Sequence, residues 1–164
     1  MADSTMPAAP AILDIEASGF GAHSYPIEIG YVLGDGRARC TLVRPAPHWT
    51  HWDAEAERLH GIVRPTLLRH GRAVAEVADL LNADLAGQTV YCDGWAHDYP
   101  WLALLFEEAE RPLRFRLESV ATLLDEARLG RLDALRDAAV AELGLARHRA
   151  SNDARVLQLA ISRA

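Results

Sequence analysis

The sequence predicts an α/β fold in which a mixed sheet is covered on its faces by helices. Three observations predict it: short apolar runs broken by tight turns fill the first third, the apolar period switches to helical spacing after Ala73, and strand and helix signals alternate from there. A chain of 164 residues suits one domain, able to bury about two-thirds of its unfolded surface without disulfides or structural metal.

Residues 1–10 are small and polar with two prolines, and lack the basic start and apolar centre of a signal peptide. They read as a flexible tail ahead of a single domain over 11–164. The first strand is Ala11-Ile12-Leu13-Asp14-Ile15-Glu16-Ala17, and Gly19 breaks it. Alternation puts Asp14 and Glu16 on one face of a sheet and Leu13 and Ile15 on the other, toward a core. Two carboxylates that close repel each other, and a divalent cation is the simplest way to hold both unprotonated. A solvated acidic strand face is the plainer alternative.

Strand-like runs over 25–33 and 37–44 flank Gly34-Asp35-Gly36, a tight-turn signal, so a three-stranded antiparallel meander opens the domain. Pro45 and Pro47 end it. The connector His48-Trp49-Thr50-His51-Trp52-Asp53 is unusually aromatic for a plain loop and leads into a short helix over 54–59, then His60-Gly61-Ile62. From Ala73, Val74, Val77, Leu80, Leu81 and Leu85 recur at helical spacing until Gly87. Thr89–Cys92 is a short strand, and Asp98-Tyr99-Pro100 opens a helix carrying Trp101, Leu102, Leu104, Leu105 and Phe106. A last strand is expected over 113–117 and helices over 119–126, 133–143 and 152–162, the middle one closed by Gly144.

With 23 acids against 17 basic residues and a net charge of -6, the chain is not a basic, non-specific nucleic-acid binder. An enzyme acting on nucleic acid remains compatible, because active-site carboxylates are offset by metal ions. Cys40 and Cys92 lie in apolar strand-like runs, which predicts buried thiols in a reducing cytoplasm. No apolar run approaches the length of a membrane span, so a cytoplasmic protein without membrane partners is expected.

Two further segments carry acids. Asp98 stands between the strand 89–92 and the next helix, where it is either an N-cap or a third acid delivered to the first strand. Asp93 is set apart by the turn at Gly94 and is the poorer ligand. In His148-Arg149-Ala150-Ser151-Asn152-Asp153, one helix would point His148 and Asp153 to different faces, since each residue turns about 100°. They converge only if His148 lies in the preceding loop and Asp153 on the first turn, a boundary that Ser151 as N-cap would set. The plainer alternative is an exposed loop histidine and an acid favoured by the helix dipole.

Together, Asp14-x-Glu16 on a first strand, Asp98 at a helix start and His148-x-Ala150-x-x-Asp153 before a last helix resemble the DEDDh branch of the DEDD exonucleases. The resemblance spans nearly the whole chain, in the family's order. Leu59-His60-Gly61-Ile62 is similar to the family's His-Gly-Ile segment, Glu55 precedes it as a substrate-contacting Glu does there, and Gly19-Phe20 is similar to a pair whose aromatic stacks on a terminal base. The run Asp93-Gly94-Trp95-Ala96-His97-Asp98 departs from the family's usual His-Asn-x-x-Phe-Asp.

What the resemblance implies is a ribonuclease H-like mixed five-stranded sheet flanked by helices, and a 3′-to-5′ exonuclease working with two Mg2+ or Mn2+ ions. Asp14 would bridge the ions, Glu16 and Asp153 would hold the one that binds the attacking water, and Asp98 would help place the other. His148 would be the general base, suited by a histidine's ordinary pKa of about 6.5. Glu16, Ala17, Phe20, Glu55 and His60 would receive the 3′ end of single-stranded RNA or DNA, with RNA favoured on the Gly19-Phe20 pair and the small chain. Trp49, Trp52 and Trp95 are further stacking candidates, or else core. Some relatives dimerise, so a homodimer is expected as a hypothesis. The rival readings are a catalytically silent nuclease fold kept for nucleic-acid binding or assembly, and an unrelated α/β protein whose acids are caps and surface charges.

Overall fold

Alternation along the first strand decides the layers. In the computed structural model, which describes residues 8–164, β1 (Ala11–Ala17) is the central strand of a five-stranded sheet of order β3-β2-β1-β4-β5. β2 (Pro26–Val32) and β3 (Ala38–Leu42) complete the antiparallel meander, while β4 (Thr89–Cys92) runs parallel to both β1 and β5 (Arg116–Ser119). The first seven residues of the expected tail lie outside the described residues.

Leu13 and Ile15 enter the larger core, closed by α3 (Val74–Leu85) and α4 (Trp95–Glu108). Ile12 faces the other way, into a smaller core built with α6 (Leu132–Leu143) and α7 (Ala150–Ser162). By the same alternation Asp14 and Glu16 follow Ile12 on the α7 side, at the carboxyl ends of the parallel pair β1 and β4. That is where open α/β sheets place their crevices.

Several elements differ from expectation. The short helix after the connector is there, α1 (Ala54–His60), but a second one follows that the periodicity did not signal, α2 (Arg64–His70). It is too short for an apolar repeat; Pro65 at its start and Gly71 after its end were its marks. The last strand is 116–119, not 113–117, because parallel pairing pins Val90 to Leu117 and Cys92 to Ser119. No helix fills 119–126: Ser119 caps a 3-10 turn over Val120–Thr122, and Asp125 caps α5 (Glu126–Leu129) by accepting from the Arg128 amide. Two cap residues so close together restart the chain instead of letting one helix run on. Cys92 is buried as expected, but Cys40 is exposed on edge strand β3.

α7 begins at Ala150, with Arg149 at the cap position and Ser151 inside the helix. The expected cap is overruled by docking, because the α7 terminus sits directly on β2 at Gly30. A Cβ built on Gly30 would lie 2.0 Å from the Ser151 amide nitrogen and 2.3 Å from the Ala150 carbonyl carbon. Gly30→Ala is therefore expected to force helix and sheet apart and to destabilise the protein by about 3 kcal/mol or more, read as a lower urea midpoint at an unchanged slope. Among the described residues no helix is long and apolar enough to cross a membrane.

Candidate active site

A cleft of about 310 Å³ opens at the carboxyl end of β1, and Asp14, Glu16, Asp98, His148 and Asp153 all line it. The β1–β2 register slips between Glu16 and Ala17; such irregularities bend a strand and re-aim its side chains. Burial pushes the Asp14 carboxyl up to about 7, with Asp153 and Asp93 adding repulsion. Glu16 is pushed up to about 8 by burial and by the charge of Asp14.

Asp98 is not a cap. α4 starts three residues before the expected boundary, Gly94 holds the cap position without a side-chain bond, and the Asp98 amide donates to the Gly94 carbonyl at 2.8 Å. The Asp98 side chain, 3% exposed, turns inward instead. Its pKa rises to about 8, chiefly through burial and then through the charge of Asp14, opposed by a hydrogen bond from the Cys92 thiol. Pro100 falls inside the helix near its first turn and has no N–H to donate to the carbonyl one turn back. Asp93 also lines the cleft, and its carboxylate pairs with Arg136 of α6 at 2.5 Å.

On the far wall, Asp153 lies in the first turn of α7 and His148 in the loop before it, in a left-handed conformation at φ 60°. The two are tied together: the His148 amide donates to Asp153 Oδ2 at 3.0 Å, and Arg147 Nε donates to Oδ1 at 2.9 Å. Glu16, His148 and Asp153 each offer a ligand atom within 4.8 Å of one another.

The rim is aromatic. Phe20, 65% exposed, stands edge-on to His97 with ring centres 5.3 Å apart, and His97 stacks on Trp101 at 5.8 Å. Trp101 Nε1 donates to Ser24 Oγ at 2.9 Å, which ties this platform to the loop after β1. Sequence reading missed His97 and Trp101. Their four-residue spacing on one helix was the available signal, hidden because the helix was started too late. Of the tryptophans singled out instead, Trp49 is core and stacks on Tyr25, Trp52 is half-buried and donates to Glu57, and Trp95 donates to the Leu117 carbonyl away from the cleft. His60 and Ala17 line the cleft, but Glu55 does not: it is exposed and pairs with Arg58, while Ala56 and Leu59 are the α1 residues that line it.

His60 Nδ1 accepts from the Ile62 amide at 3.0 Å, so Nε2 carries the proton; this buried atom faces the Ala17 backbone and makes no well-formed hydrogen bond among the described residues. The donor set fits a divalent cation. Three buried acids whose pKa values are raised take up either protons or a cation, and their carboxylate oxygens are hard ligands of the kind a divalent cation takes.

A test of that fit follows from linkage. In the folded, metal-free protein Asp14, Glu16 and Asp98 hold protons up to about pH 7 to 8, whereas unfolded carboxyls release them near their ordinary values of 3.8 to 4.5. The native state thus binds more protons in that window, and stability falls as pH rises. His60, whose pKa burial lowers, acts in the opposite sense but is spent below about pH 7. In EDTA the melting temperature should drop from pH 7 to 8.5, and Mn2+ should restore more of it at 8.5 than at 7. A melting temperature that climbs with pH in EDTA over this range defeats the expectation.

No family model matches this sequence, and no curated protein matches it. Solved structures match the fold. The zinc-bound complex of E. coli exonuclease I with single-stranded DNA aligns with a TM-score of 0.68 at 14% identity, over 93% of this chain and 40% of that one. E. coli exonuclease I with a dA16 oligonucleotide gives 0.67 at 15% identity, over 93% and 40%. The moderately thermophilic exonuclease I from Methylocaldum szegediense gives 0.58 at 18% identity, over 77% and 30%. The protein thus has the fold of these structures, the expected ribonuclease H-like mixed five-stranded sheet flanked by helices. It spans only 30% to 40% of the length of these structures.

Proposed function

We propose that this chain is a single catalytic domain, over 11–164, of a metal-dependent 3′-to-5′ exonuclease that hydrolyses single-stranded nucleic acid to nucleoside monophosphates. The observation that carries the reading is the meeting of Asp14, Glu16, Asp98, Asp153 and His148, drawn from three separate stretches of chain, in one cleft beside an exposed aromatic platform. The fold shared with exonuclease I structures, some of them bound to DNA oligonucleotides, supports it.

Asp14, Glu16, Asp98 and Asp153 would hold two Mg2+ or Mn2+ ions. Bound there, such ions supply Lewis-acid activation of water and neutralise charge on the departing 3′ oxygen. His148 accepts the proton of the attacking water from its place beside Glu16 and Asp153. The buried Nε2–H of His60, beside the Ala17 backbone, donates to the terminal nucleotide. Phe20 stacks on the terminal base, with His97 and Trp101 behind it.

The sugar is decided by assay. Gly19-Phe20 favoured RNA, the neighbouring structures favour DNA, and stacking itself is indifferent to the 2′ hydroxyl. Product analysis on 3′- and 5′-labelled RNA and DNA oligomers, with Mg2+, Mn2+ and EDTA, should show stepwise shortening from the 3′ end that EDTA stops. If no oligomer shortens with either metal, the silent binding module takes its place. Phe20→Ala should raise KM roughly 5- to 150-fold with kcat nearly kept, and an unchanged KM removes Phe20 from the substrate path. The expected homodimer is checked by light scattering at micromolar protein, where a monomer mass rejects it.

A further inference from the structure

Glu28 is a carboxylate the reaction does not use. It lies on β2 directly opposite Glu16 in the antiparallel register and is 0% exposed. A second acid there would only add repulsion to the cleft unless its charge were committed elsewhere. It is committed. Arg149 Nε sits 3.1 Å from both Glu28 oxygens, Arg149 Nη2 donates to Oε2 at 2.6 Å, and the Ala150 amide donates to Oε1 at 2.8 Å. These bonds outweigh burial and hold the Glu28 carboxyl below its ordinary range, in contrast to its cross-strand neighbour Glu16.

The residues bound by Glu28 are placed tellingly. Arg149 and Ala150 stand between His148 and Asp153, so the two sides of the cleft's far wall hang from one buried carboxylate. The same contact seats the α7 terminus on Gly30. His148 is held at φ 60° with its amide on Asp153. A left-handed non-glycine residue persists only where its surroundings over-determine it.

We propose that the Glu28–Arg149 pair is the positioning device for the His148 loop: it sets where the base stands relative to Glu16 and Asp153 without touching substrate. This rests on the exonuclease reading above. A misplacement of about 1 Å remote from the chemistry can cost on the order of 100-fold in rate. Glu28→Gln keeps shape and one acceptor but loses the charge that grips the guanidinium, and Arg149→Lys keeps the charge but loses the fork.

The test is a double-mutant cycle with an exchange measurement. In the full chain, Glu28→Gln should lower kcat about 10- to 100-fold with KM for the oligomer unchanged. Added to His148→Ala, it should lower kcat little further, because the group it positions is already gone. Amide hydrogen exchange, measured without substrate, should quicken at His148 and Ala150 while the β1 and β4 amides stay protected. Equal losses of kcat in both backgrounds overturn the proposal, as does unchanged protection at 148 and 150, or deprotection of the whole sheet. Should Glu28→Gln not fold, Arg149→Lys takes its place in the same cycle. A wild-type chain that cleaves nothing sinks the exonuclease reading, and the exchange measurement then decides the positioning role alone.

Discussion

Asp14→Asn is expected to remove metal-dependent hydrolysis almost completely while making the metal-free protein more stable. The two effects have one cause. Burial, and then the charges of Asp153, Asp93 and Glu28, push Asp14 up to about 7, so above that pH the folded state bears an unfavourable charge that the unfolded chain does not feel. An amide of the same shape relieves it. A gain of about 1–2 kcal/mol corresponds to a rise of roughly 2–8 °C for a domain of this length, read in EDTA at pH 8.5. In the proposed site the same change would take away a central anionic ligand, and losing several kcal/mol of Lewis-acid stabilisation means at least about 10³-fold in rate. Retained hydrolysis, or a lower melting temperature at that pH, contradicts the assignment of Asp14.

His148→Ala separates two roles that the geometry allows. The imidazole lies within ligand distance of Glu16 and Asp153, so it can act as base or as ligand. As base, its loss should cut kcat by about 10² to 10⁴ and leave the Mn2+-induced rise in melting temperature in place, since Asp14, Glu16 and Asp153 remain. If that rise disappears with the side chain, His148 is a ligand and the base must be sought elsewhere. Because His148 is exposed in a loop outside both cores, truncation should not touch the fold.

The difference between what was legible and what was not follows particular residues. The acid pair of β1, the meander, the helix over 74–85, the Gly144 stop and the loop position of His148 could all be read, because alternation, turn chemistry and helical period act within a few residues. Asp98 was read as a helix start because Asp-Tyr-Pro is a start signal; the Asp93-Gly94 turn ends β4 sooner and lets the helix begin at Trp95. Shifting that start hid the spacing of His97 and Trp101. Glu55 was carried over by motif position alone, and the rotation of α1 turns it outward toward Arg58.

By itself, then, the sequence determined the order and type of most elements, the central acidic strand, and which segments bring acids and a histidine to its end. Tertiary structure decided which of those groups meet. Parallel pairing set the register of β5, docking on Gly30 moved the start of α7, and a buried carboxylate holds an arginine 121 residues away. The physical reason is range. Propensity, capping and periodicity are settled within one turn or one strand, whereas the repulsion among Asp14, Glu16 and Asp98, and the grip of Glu28 on Arg149, arise only when distant stretches are packed into the same dry space.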